Sequence, residues 1–304
     1  MALATAAATR AAHAQDIAAE PTEPRVHVGW SDASDPARPA AERELVEAHL
    51  ALRRLLARRA ALDGSARALI TDARLHELTA QLGSISHRAP ALTIAWLDLA
   101  DVAFERRDGE AMLGYLREAE TRAGDGPLRV SALTQLGIAF TLLDRFADAR
   151  GAYRAALEQP QSTTARGVSL CNLAEIETYL REAEASIMNY EACVALLPGY
   201  DGGYWGLASA LDREGRDREA RDAAQRAISI DPGAASLTSH GVFYTPPYEV
   251  HYYLGLAREA QGRPAEALAA WRRYLDLGGA SDPWAHRARA HIEALSRPRR
   301  TVRR

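Results

Sequence analysis

The chain has 304 residues, 47% hydrophobic and 25% charged, and its 37 basic side chains are all arginine against 40 acidic ones. A formal charge of −3 argues against broad contact with nucleic acid or anionic membrane, which depends on neutralised phosphates. The absence of lysine excludes a Walker-type phosphate loop. Length alone would suggest two domains.

Residues 1–40 read as a leader. Ala12-His13-Ala14 before Gln15 has the small-x-small form of a secretory cleavage site, but the leading basic residues are absent and Arg10 interrupts the apolar run. A truncated export signal and an alanine-rich tail both fit, so the expected location is periplasmic or exported, with the cytoplasm as the alternative. Pro21, Pro24, Pro36 and Pro39 among charges suit a flexible linker. No later stretch is apolar for long enough to span a bilayer.

From Ala41 apolar residues recur at spacings of three and four, which predicts helices almost throughout. Breaks fall at Gly64, Gly83, Gly126-Pro127, Pro160, Pro198-Gly199, Pro232-Gly233 and Gly278-Gly279. Residues 41–92 form a helical hairpin, with Leu45, Leu52, Leu55 and Leu56 on one helix and Leu69, Leu75, Leu78 and Leu82 on the other.

Beyond it a pattern repeats. From Leu207-Ala208, small or apolar residues follow at Ala220, Ala224 and Ala227, and Pro232 closes the unit. Leu136-Gly137 leads in the same register to Ala149, Tyr153 and Ala156, Leu173-Ala174 to Ser186, Tyr190 and Cys193, and Leu254-Gly255 to Ala267, Trp271 and Tyr274. A weaker copy starts at Leu99-Ala100 and reaches Met112, Leu116 and Ala119. The origins are 37, 37, 34 and 47 residues apart while the internal offsets hold, so the fixed unit is a hairpin and the variable part its connection. Small residues at Gly137, Ala208, Gly255, Ala149, Ala220 and Ala267 let two helices cross closely. Tyr153, Tyr190 and Trp271 are then expected to fill the gap toward the next hairpin.

LTQLGIAF with ADARGAYRAAL, YWGLASAL with EARDAAQRAISIDP, and HYYLGLAR with EALAAWRRYL resemble the tetratricopeptide repeat, a helix-turn-helix of W-x2-L-G-x2-Y, A-x3-F and P. The resemblance covers residues 93 to about 281. Glu177 and Arg258 depart from it where an aromatic is preferred, and Ser186 where alanine is. It implies an all-α fold: a right-handed α-solenoid of about five repeats at 93–281, preceded by the N-terminal hairpin as a cap or a diverged repeat. A capping helix at 282–296 and a basic tail at 297–304 complete the chain as one elongated domain. Ser281 or Asp282 would cap that last helix, with Trp284, Ala288, His291 or Ile292, and Leu295 on one side.

Other features carry less. The insertion at 233–247 reads as an extended segment packed on a neighbouring hairpin rather than as a lid. None of the nine histidines has metal-binding spacing, and His286 and His291 read as structural or solvated. Cys171 and Cys193 read as two reduced thiols, one facing the groove and one packing between helices. Neither a catalytic constellation nor a cofactor or metal site is expected.

The resemblance implies a non-catalytic scaffold, an adaptor or assembly factor binding another protein in the concave groove; a self-associating structural subunit is the alternative. By the same resemblance the groove is lined by Leu97, Asp101 and Phe104; Thr134, Ile138 and Thr141; Cys171, Glu175 and Thr178; Trp205, Ser209 and Asp212; and Tyr252, Leu256 and Glu259. No arginine occurs among them, and Asp101, Glu175, Asp212 and Glu259 favour a partner segment with apolar anchors and positive charge. Trp205 and Tyr252 are expected at the contact centre, with Trp205→Ala leaving thermal stability unchanged.

Overall fold

The computed structural model describes residues 39–60, 64–239, 242–278 and 282–297. The leader, with the cleavage site expected after Ala14, and the tail arginines beyond Arg297 lie outside the described residues. Thirteen α-helices follow one another among the described residues: α1 (Ala40–Ala60), α2 (Gly64–Arg88), α3 (Thr93–Glu105), α4 (Gly109–Arg122), α5 (Pro127–Leu142), α6 (Phe146–Glu158), α7 (Thr163–Tyr179), α8 (Ala183–Leu196), α9 (Asp201–Arg213), α10 (Asp217–Ile230), α11 (Val250–Ala260), α12 (Pro264–Gly278) and α13 (Ala285–Ser296). They pack as sequential hairpins, α3 on α4, α5 on α6, α9 on α10 and α11 on α12. Contacts divide the chain into two compact units, one ending at Ser169 and one beginning at Leu170, with the division inside α7.

In the N-terminal unit, apolar residues three and four apart give α1 and α2 one buried face each. Leu45, Ala48, Leu52 and Leu56 meet Leu75, Leu78, Leu82 and Ile85, and Ala95, Leu99 and Val102 of α3 close the cluster. Each fully buried leucine contributes roughly 1.5–3 kcal/mol relative to exposure.

The repeat register is visible in the turns. Each of the five hairpins reverses through one residue in the left-handed region: Arg107 (φ 55°), Asp144 (φ 55°), Arg181 (φ 61°), Gly215 (φ 74°) and Gly262 (φ 69°). All five stand at the same offset from their origin leucines. The next backbone N–H then donates back to a carbonyl of the preceding helix: Asp108 to Ala103, Arg145 to Phe140, Glu182 to Glu177, Arg216 to Leu211 and Arg263 to Arg258. These bonds satisfy carbonyls that a helix end leaves open. Only glycine enters this region without strain, which suits Gly215 and Gly262.

Helix crossings carry small side chains, as packing demands. Ala149, Ser186 and Ala267 are fully buried and Ala220 is 2% exposed. Ser186 substitutes for alanine because its hydroxyl donates to the Ala174 carbonyl at 2.7 Å. Glu177 stays buried by accepting from Asn189 at 2.7 Å. The aromatics depart in part from expectation. Tyr190 does reach the following hairpin, where a Cβ on Gly206 would meet its ring at 2.2 Å. Tyr153 and Trp271 instead lie on Gly137 and Gly255 of their own hairpins, where a Cβ would come within 2.3 and 2.5 Å of the rings. The glycines therefore supply volume to an aromatic as well as closeness to a helix. Ala149→Leu and Ala220→Leu should each destabilise their unit by roughly 1–3 kcal/mol through overpacking; urea unfolding of both variants checks this.

The insertion packs on the C-terminal unit through short 3-10 turns at Ala235–Thr238 and Pro247–Glu249. Leu237 is fully buried, Phe243 is 5% exposed, and the Tyr244 hydroxyl donates to the Leu237 carbonyl at 2.7 Å. The Tyr244 ring lies 5.8 Å from that of Tyr253 on α11.

One sequence reading is corrected here. Cys171 and Cys193 form a disulfide, with their Cα atoms 5.3 Å apart. α7 and α8 are antiparallel partners, so both thiols point into the space between them. A Cβ on Gly203 of α9 would stand 3.1 Å from one sulfur and 3.3 Å from the other. Cys171 therefore does not face an open groove.

Candidate functional site

α9 and α11 are the first helices of neighbouring hairpins and lie against each other. Their last turns bring Asp212 and Glu259 toward one place. α13 crosses that place. Its start is fixed by Asp282, whose carboxylate accepts from the Trp284 backbone N–H at 2.8 Å, from the Tyr248 hydroxyl at 2.9 Å and from the Tyr274 hydroxyl. One turn further, Arg287 binds Asp212 at 2.8 Å and also pairs with Asp217 at the start of α10. A turn beyond that, His291 lies 2.9 Å from Asp212 and 2.7 Å from Glu259, one ring nitrogen to each carboxylate. Its ring stacks on Trp271 at 4.3 Å between centroids. Trp271 in turn donates its indole N–H to Glu259 at 2.6 Å, and Tyr252 donates its hydroxyl to Asp212.

Both nitrogens of His291 face carboxylates, so the imidazolium is the favoured form. Burial works against its charge, but Asp212 and Glu259 outweigh this and raise its pKa to about 9. Burial likewise opposes ionisation of Asp212, while bonds from His291, Arg287 and Tyr252 outweigh it and lower its pKa to about 2. The stability from His291 is thus complete below 6.5 and lost as pH rises from there through about 9. That from Asp212 is present above 3.8 and lost as pH falls through about 2. The two share one bond, and together they contribute about 2–3 kcal/mol. Urea unfolding should therefore find wild type more stable than His291→Gln by that amount at pH 6, with the gap gone near pH 10.

Next to this cluster, Arg213 and Glu249 form an ion pair with side chains 2% and 1% exposed. The Arg213 guanidinium lies 3.9 Å from the Trp284 ring and 4.7 Å from that of Tyr252. Burial opposes its charge, yet Glu249 and the surrounding phenols hold it protonated. Burial raises the Glu249 carboxyl above its ordinary value despite the arginine.

The N-terminal unit repeats this chemistry. His49 of α1 lies 2.9 Å from Asp98 of α3, and Arg53, one turn further, binds Asp98 at 2.7 Å and Asp101 at 2.6 Å. Asp98 is fully buried; burial opposes its ionisation, but His49 and Arg53 hold its pKa below the usual carboxylate range.

Of the groove positions named from sequence, Leu97, Thr134, Ile138, Thr141, Cys171, Glu175, Trp205, Ser209, Asp212, Tyr252 and Leu256 are buried, and Asp101, Phe104, Thr178 and Glu259 are half-exposed. Asp212, Tyr252 and Glu259 come together under α13. Trp205 and Tyr252 are both fully buried, so neither ring presents area to a partner in this state. With that burial, truncating Trp205 to alanine costs about 3–5 kcal/mol, which corrects the expectation of unchanged stability. Arg287, His291, Arg213, Glu249, Asp98, His49 and Arg53 were missed as site residues. Their available signal was arginine and histidine four apart in α1 and α13, one turn of helix. Among the described residues no group of three histidine, cysteine, aspartate or glutamate side chains is placed to hold a metal ion, and no helix is long and apolar enough to cross a membrane.

An all-α succession of antiparallel hairpins in constant internal register is a helical-repeat protein. Models of the tetratricopeptide repeat match residues 202–233 and 249–277, the α9–α10 and α11–α12 hairpins. The chain carries tetratricopeptide repeats at these two hairpins. No curated protein matches it. Among solved structures it is similar to PilW, described as a widely conserved type IV pilus biogenesis factor, at 13% identity over 82% of this chain and 99% of that one, with a TM-score of 0.55. It is similar to Pseudomonas aeruginosa PilF at 11% identity over 83% and 99%, with a TM-score of 0.54. The Cut9–Hcn1 hetero-tetramer of the APC/C matches at 13% identity over 84% of this chain and 43% of that one, with a TM-score of 0.54. At these identities the likeness is one of fold.

Proposed function

We propose that the protein is a non-catalytic scaffold whose hairpin first helices grip basic, apolar-anchored helical segments of other proteins. One observation carries this reading: in each unit, carboxylates on hairpin first helices hold an arginine and a histidine spaced one turn apart on another helix, Asp98 and Asp101 of α3 in one and Asp212 of α9 with Glu259 of α11 in the other. A surface that recognises this pattern within the chain has the chemistry to recognise it in a partner. Tetratricopeptide-repeat proteins commonly mediate protein–protein contacts, which agrees. The Cys171–Cys193 disulfide favours an exported or periplasmic setting, because disulfides persist in oxidising compartments.

The test compares wild type with a Glu259→Arg variant as baits for protein captured from the native source, followed by cross-linking mass spectrometry. A partner held by wild type and lost by the variant, cross-linked through an arginine-bearing segment, supports the reading. Capture indifferent to the substitution, or a cross-linked segment that is acidic, contradicts it.

A further inference from the structure

The C-terminal helix is held unlike the others. Ala285 and Ala288 are the residues of α13 that are fully or nearly fully buried, and alanine removes little apolar area from water. Its other anchors are largely polar, Arg287 and His291 on the carboxylates and the Trp284 ring against Arg213, while Ile292 and Leu295 are only half-buried and the apolar contact to α12 is the stack of His291 on Trp271. Packing beneath Trp284 is incomplete, for a cavity of about 80 Å³ lies there, lined by Thr178, Arg181, Ser186, Ala210, Arg213 and Trp284. By contrast α9 buries Trp205, Leu207 and Leu211 besides its small residues, and α10 buries four alanines, Ala220, Ala223, Ala224 and Ala227. Elements with few buried apolar contacts open at lower free energy than the core they lie on.

We propose that α13 is a resident, displaceable occupant of the groove formed by α9 and α11, and that the external occupant is an amphipathic helix carrying an aromatic residue, an arginine and a histidine at the spacing of Trp284, Arg287 and His291. This rests on the scaffold reading and deepens it: the partner replaces a segment of the chain rather than entering an open cleft. Asp212 and Glu259 then exchange one arginine–histidine pair for another, so no buried carboxylate is left unpaired at either end of the exchange. Affinity for a partner is reduced by the fraction of time the groove is occupied from within.

The experiment uses the full chain, its Arg287→Ala/His291→Ala variant, and a fluorescent peptide of residues 282–296. Hydrogen exchange on wild type should find α13 amides exchanging at least 100-fold faster than those of α9 and α10. The peptide should bind the double variant at least tenfold more tightly than wild type, and a peptide with Arg287→Glu and His291→Glu should bind neither. α13 amides that exchange only with those of α9 and α10 would overturn the proposal, and so would equal peptide binding to wild type and variant. The exchange measurement needs no substitution, so it decides even if the variant folds poorly. Capture of a partner by a chain whose α13 stays closed removes this inference and leaves the scaffold reading; an α13 that opens in a chain that captures nothing removes the scaffold reading and the external occupant with it.

Discussion

Replacing Glu249 with alanine should destabilise the C-terminal unit by about 3–5 kcal/mol. The carboxylate is fully buried and pairs with Arg213, whose side chain is 2% exposed, so its loss leaves a guanidinium buried among the rings of Trp284 and Tyr252. The protein cannot respond by neutralising the arginine, whose pKa is above the accessible range. Replacing both partners, as Arg213→Met with Glu249→Leu, should recover most of the loss, because a buried ion pair exchanged for apolar side chains of similar volume is often neutral or stabilising. Chemical unfolding of the single and double variants measures this directly. A single variant within about 0.5 kcal/mol of wild type would mean that the pair is open to solvent.

The second large effect belongs to Asp212. Asp212→Asn removes the negative charge that receives Tyr252, Arg287 and His291, and should lower stability by about 2 kcal/mol while loosening α13. The loss should be local. Arg287 keeps Asp217 and His291 keeps Glu259, so α13 becomes mobile before α9 and α11 unfold. Limited proteolysis should cut near Arg287 or Arg289 earlier in the variant than in wild type. Unchanged cleavage together with unchanged unfolding would show that Asp212 does not anchor the helix.

Much of the fold was legible because the repeat writes itself in residues that only geometry requires. Small side chains at Ala149, Ala220 and Ala267 mark helix crossings, and constant offsets from Leu99, Leu136, Leu173, Leu207 and Leu254 locate the hairpins. The offsets also locate the left-handed turn residues, two of them glycine. The partner of each aromatic was less legible, since periodicity assigns Tyr153 and Trp271 to a face without stating which helix that face meets. The disulfide was misread for the same reason: Cys171 and Cys193 are 22 residues apart, and only the antiparallel arrangement of α7 and α8 turns that separation into a contact.

The site was legible by half. The family resemblance placed Asp101, Asp212, Tyr252 and Glu259 at groove positions, and the acidic character of that set led to the expectation of a basic counterpart in a partner. It could not reveal that α1 and α13 supply one. Those contacts join residues 32 to 79 positions apart across helices outside the repeat pattern, and no local periodicity encodes them. Nor does register state exposure: Trp205, expected at a groove position, is fully buried.

The account turns on α13 being seated on Asp212 and Glu259 through His291. An NMR titration of the imidazole carbon resonances, with His291 assigned by its absence in His291→Gln, tests that seat most directly. A titration midpoint near 9 is expected, since it requires both carboxylates beside the ring. A midpoint near the ordinary 6.5 would place His291 in water and contradict the account.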